Sequence, residues 1–162
     1  MLFFHVFWEV LVLLTNLLTD FPEMAIATDN VDSEWLQKPL RWNIHWIRKF
    51  MFVFALISSL FDYARFGVLL FFLKASESEF RTGWFVESVV SATFMVLVIR
   101  TFRPFFSSRP SRCLWMMVAA VIGFVLILPT LPFADILGFV ALPFSFYLYI
   151  TLILLLYIVS VE

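Results

Sequence analysis

Residues 11–29 read Leu-Val-Leu-Leu-Thr-Asn-Leu-Leu-Thr-Asp-Phe-Pro-Glu-Met-Ala-Ile-Ala-Thr-Asp. The run is apolar enough to enter a membrane, yet it holds Asn16, Thr19, Asp20 and Glu23. On a 3.6-residue period, Asn16, Asp20 and Glu23 share one helix face, with Thr19 on its shoulder and Glu9 in line earlier. Pro22 has no N–H to give and its ring meets the carbonyl of Leu18, so the helix is expected to kink or open there. Oxygen ligands beside a broken helix with freed carbonyls are a way membrane proteins build cation sites.

Outward from this stretch, the whole chain has a membrane composition. It is 63% hydrophobic, 20% aromatic and only 14% charged, with 22 Phe in 162 residues. Soluble domains are about 45–50% apolar and about 25% charged. A net charge of −1 gives no footprint for nucleic acid. The single cysteine, Cys113, excludes an internal disulfide and a multi-thiolate metal site. Neither GxGxxG nor GxxxxGK[ST] occurs. His5 and His45 lack metal-ligand spacing and read as interfacial packing. Residues 1–18 lack a basic leading segment and a small-x-small cleavage site, so they read as part of a mature span.

Hydropathy and loop signals predict an all-α polytopic transmembrane helix bundle of about five spans, near 4–27, 50–73, 84–101, 114–131 and 144–161. The polar stretch 28–49 carries Trp35, Trp42 and Trp46, which suit a membrane–water boundary, and a turn is expected at Lys38-Pro39. Span two contains Asp62 and Arg65, three apart and so on one face; pairing as a neutralising clamp is expected. Residues 74–83 read as a loop, which puts Glu87 one turn into span three as a solvated end-of-helix carboxylate. Ala119 and Gly123 form a small-xxx-small pair suited to close helix contact. Successive loops hold 4, 2, 4 and 0 Lys and Arg residues, which predicts cytoplasmic first and third loops, an outside N-terminus and a cytoplasmic C-terminus. That arrangement is natural for a piece of a larger chain. The expected location is the cell (plasma or inner) membrane.

The loop motifs carry a resemblance. Asn16-Leu17-Leu18-Thr19-Asp20, Phe21-Pro22-Glu23-Met24 and Ala27-Thr28-Asp29-Asn30-Val31-Asp32 match, as do Lys38-Pro39 and 50–62. Phe80-Arg81-Thr82-Gly83-Trp84-Phe85-Val86-Glu87-Ser88, Arg100-Thr101, Arg103-Pro104-Phe105 and Leu142-Pro143 match as well. From about residue 11 onward the chain resembles the carboxy-terminal membrane part of P-type cation-transporting ATPases, and among them the magnesium-transporting branch. The resemblance implies helices six to ten of a ten-helix membrane domain, helix six being the unwound one. It implies Asn16, Thr19 and Asp20 as cation ligands; it does not settle Glu23 or Glu87. It also implies Mg²⁺ as the transported ion.

The family's Asp-Lys-Thr-Gly-Thr and Thr-Gly-Glu motifs are not in this sequence, so no ATP site and no enzyme activity are expected of these residues alone. Expected partners are the bilayer and either the remainder of the pump (helices one to five with the cytoplasmic domains) or an intact pump, with no nucleic acid. Asn16, Thr19, Asp20 and Glu23 are hard oxygen donors, which favours Mg²⁺, Ca²⁺ or protons over Zn²⁺ or Cu⁺. The competing structural reading is that these groups only stitch helices together, and for Thr19 and Glu23 both readings stand open. Two alternatives for the chain as a whole are an orphan membrane protein packing on an intact pump as a structural or regulatory partner, and a passive cation channel.

Overall fold

The structure is a computed structural model. It describes the backbone of residues 2–30, 44–101 and 108–161, and the side chains of 9–30, 44–45, 47–101 and 108–160. The expectations for Lys38-Pro39, Trp35, Trp42, Arg103-Pro104-Phe105 and the side chains of His5 and Trp46 lie outside these residues.

Among the described residues, five α-helices form the bundle. They are α1 (Leu2–Ala25), α2 (Ile44–Gly67), α3 (Glu77–Ile99), α4 (Arg112–Ile127) and α5 (Phe144–Val161). The first four are long and apolar enough to cross a bilayer, α5 is apolar throughout, and no strand is present among the described residues. The chain is an all-α transmembrane helix bundle.

α1 does not open at Pro22. It stays helical to Ala25 and then tightens into a 3₁₀ turn, Ile26–Thr28. The proline sits in the last turn of the helix, where its missing N–H removes one of the final hydrogen bonds and leaves the earlier ladder untouched. α2 ends differently, widening into a π-helical turn over Val68–Phe72.

α3 starts at Glu77, seven residues before Trp84, so most of the expected loop 74–83 is helix. Ser76 and Glu79 cap it reciprocally: the Ser76 N–H donates to the Glu79 carboxylate at 2.7 Å, and the Glu79 N–H donates to Ser76 Oγ at 3.4 Å. At α4, the Ser111 Oγ accepts from Leu114 N–H at 3.2 Å.

α3 is the central helix. Two thirds of its spanning window is buried, against about a tenth for α2. α1 packs on α3 and α4, α4 packs on α3, and α5 packs on α2 and α3. The main core gathers Leu11, Leu18, Phe85, Val89, Val125 and Phe139, with Tyr157 from α5. Small residues set the approach of α3 to α5, though at Gly83 and not at the expected Ala119/Gly123 pair. A Cβ on Gly83 would lie 2.6 Å from the Phe146 ring, whereas one on Gly123 meets nothing within 4 Å. Ala119 is exposed. Sequence spacing alone does not tell which small residue faces a neighbouring helix.

Candidate functional site

Asn16, Asp20 and Glu23 lie on one exposed face of α1, as the helical spacing requires. Thr19 points inward and is buried. Its hydroxyl donates to the backbone oxygens of Thr15 and Asn16, at 3.1 and 3.0 Å. The oxygen therefore has its hydrogen turned back along the helix. The structure thus brings three of the four expected ligands onto an open face and sets the fourth beside it. Among the described residues, no three His, Cys, Asp or Glu side chains gather where one metal ion could reach them.

Glu23 also borders a cavity of about 550 Å³ between α1, α2 and α3. Phe54, Met95 and Ile99 supply apolar wall, and Ser58, Asp62, Arg65, Ser91 and Tyr157 supply polar groups. Ser58 Oγ and the Tyr157 hydroxyl are hydrogen-bonded at 2.5 Å, joining α2 to α5.

Arg65 stands at the inner side of this cavity and is 8% exposed. Its guanidinium pairs with Asp62, one turn away on α2, and with Glu87 on α3. Its Nε–H donates to the Phe61 carbonyl at 3.3 Å. The Asp62–Arg65 clamp is therefore present, but it is part of a three-membered bridge. Glu87 is not a solvated end-of-helix group: it is 5% exposed. The correction follows from the start of α3. With the helix beginning at Glu77, Glu87 falls ten residues in, well inside the span. The capping box in Ser76-Glu77-Ser78-Glu79 was the sequence signal for that earlier start.

A second ion pair closes one end of the bundle. Asp29, just past α1, takes a hydrogen bond from Arg100 at 2.6 Å and another from the Ser111 N–H at 2.6 Å. Arg100 also donates to the Ser108 carbonyl at 3.0 Å. The Arg100 and Asp29 side chains are 2% and 8% exposed. At the opposite end, Arg81 donates to the Gly138 carbonyl at 2.7 Å, and the Thr82 hydroxyl accepts from Val140 N–H at 3.1 Å. Sequence alone placed Asp29 and Arg100 in two separate motifs, 71 positions apart, and did not pair them.

Comparison with known proteins places this architecture. The family described as "Cation transporting ATPase, C-terminus" matches residues 4–162. The chain is 40% identical over 147 residues to "Magnesium-transporting ATPase, P-type 1" of Escherichia coli K12, covering 88% of this chain and 16% of that protein. A Salmonella typhimurium protein of the same description is also 40% identical over 147 residues, with the same coverage. A second from Salmonella typhimurium LT2 is 29% identical over 150 residues, covering 90% and 16%. The chain thus spans about a sixth of the length of these curated relatives. The motifs at both ends of the bundle, the polar row on α1 and the match over nearly the whole chain converge: the chain belongs to the P-type cation-transporting ATPases and corresponds to their C-terminal membrane region.

Proposed function

We propose that this chain is the translocation-path half of a magnesium pump's membrane domain, with Asn16, Asp20 and Glu23, flanked by Thr19, offered by α1 to the transported cation. The observation that carries this reading is the exposed polar row on α1. In a bilayer each uncovered acid would cost roughly 2.5–3.5 kcal/mol near the centre, so the row calls for a covering partner. Mg²⁺ takes near-octahedral oxygen ligands and keeps several waters, and one helix supplies only part of such a shell. The remaining ligands, the ATP-binding machinery and the phosphorylated aspartate then come from polypeptide outside these 162 residues. The relatives are described as magnesium-transporting, which supports Mg²⁺ as the cargo, and the Lys/Arg asymmetry supports an orientation with the C-terminus cytoplasmic.

The test is complementation. The chain is co-expressed with a relative's pump truncated before its C-terminal membrane region, in a strain dependent on Mg²⁺ uptake. Growth at limiting Mg²⁺ should be restored by the wild-type chain and lost with Asp20→Asn or Asn16→Ala. A chain that reaches the membrane beside the truncated pump without restoring uptake sinks the proposal. Restoration that survives Asp20→Asn removes Asp20 from the ligand set.

A further inference from the structure

Two cavities meet at Arg65. The large one, about 550 Å³, is lined by Asp62 and Arg65 but not by Glu87. The small one, about 10 Å³, is lined by Asp62, Arg65 and Glu87 together with Gly83 and Trp84. The guanidinium therefore stands between the open cavity and the Glu87 carboxylate. Each of its nitrogens is engaged, with Asp62, Glu87 and the Phe61 carbonyl. An Arg fork held this way binds carboxylates directionally, and it cannot lose its charge.

We propose that Arg65 is a tethered counter-cation that occupies the Asp62–Glu87 carboxylate pair and thereby keeps a second divalent cation out of the bundle. Two carboxylates from facing helices plus water are the kind of shell that Mg²⁺ or Mn²⁺ accepts. The adjoining cavity has ample room for those waters. Asp62 and Arg65 line both cavities, and it is the Arg65 guanidinium that meets the Glu87 carboxylate. It fills the position with one positive charge on a stem anchored to α2, so the pair is neutralised without an ion that can leave. The inference concerns specificity and the number of ions bound, and it rests on the pump reading only for the class of cation.

The test counts Mn²⁺ bound per chain, using the electron paramagnetic resonance signal of the free ion and the full 162-residue chain in detergent. Arg65→Gln should bind one Mn²⁺ more than wild type, Arg65→Gln/Glu87→Gln should return to the wild-type count, and Arg65→Lys should match wild type. Glu87→Gln alone should leave the count unchanged, because Glu87 already holds a cation. Loss of bound Mn²⁺ in Glu87→Gln overturns the proposal, as does a folded Arg65→Gln chain that gains none. If Arg65→Gln fails to fold, refolding on addition of Mn²⁺ supports the proposal, and failure at every Mn²⁺ concentration overturns it. Asp20→Asn is the separate arm for the ligands on α1, so a result there leaves the Arg65 comparison intact.

Discussion

Glu87 shows how a single residue's meaning depends on where its helix begins. From the sequence it sits near the end of a span, where a carboxylate meets water. In the bundle it is 5% exposed and bonded to Arg65. Removing one partner of a buried ion pair typically costs about 3–5 kcal/mol, because the other charge is stranded. Arg65→Leu strands two carboxylates and should be the most damaging change in the bundle. Glu87→Gln leaves Arg65 with Asp62 and should cost less. Asp62→Asn, at a side chain half exposed, should cost least. Thermal unfolding of the three variants in detergent checks the order; a melt in which Asp62→Asn is the worst would contradict it. Gly83 supports a parallel comparison. Its missing Cβ admits the buried Phe146 ring, so Gly83→Ala should lose about 1–3 kcal/mol by overpacking. Gly123→Ala, in open space on a helix, should be neutral or gain up to about 1 kcal/mol. The same melts read both.

At the scale of elements, the five long helices among the described residues could be read from the sequence, since long apolar runs have few alternatives in a bilayer, although α2 and α3 start six and seven residues before the expected 50 and 84. The exceptions have local causes. Glu77, Ser78, Glu79 and Arg81 made the first turns of α3 look like a loop, although the Ser76–Glu79 box specifies a helix start there. Ser76→Ala should therefore cost about 1 kcal/mol and increase amide exchange over 77–80. Pro22 suggested an interrupted helix, yet it falls where α1 is already ending. The polar row of α1 was visible from spacing, because side-chain direction on a helix follows from periodicity alone. The pairings of Asp29 with Arg100 and Arg65 with Glu87 were not, because contacts between helices depend on packing that no local pattern encodes. The Asp29 clasp joins the end of α1 to the start of α4. Asp29→Ala should speed exchange at Ser111 by at least tenfold while leaving the middle of α3 protected; unchanged exchange at Ser111 would show that the clasp does not hold that segment.

The molecule as a whole has its charges distributed unevenly. Arg65, Glu87, Asp29 and Arg100 are paired within the bundle, whereas Asp20 and Glu23 face outward from it. An outward acid serves a partner better than it serves the isolated chain. Asp20→Leu should accordingly raise the melting temperature of the chain in detergent, and abolish its ability to complete a truncated pump. A less stable Asp20→Leu chain would mean that Asp20 has a stabilising role in this bundle. Such a trade, stability given up where function needs an unsatisfied group, is common at functional sites.

The central position of α3 bears on how the bundle is assembled. Within these 162 residues α1 and α2 are made before α3, but each packs mainly on helices that follow it: α1 on α3 and α4, α2 on α5. Until α3 is inserted, α1 and α2 have little mutual interface to hold them, and Arg65 has Asp62 but not Glu87. Nascent chains halted after residue 75 should therefore be extracted and degraded, while those halted after residue 142 persist. Insertion of α3 is the step at which this bundle becomes committed to the membrane.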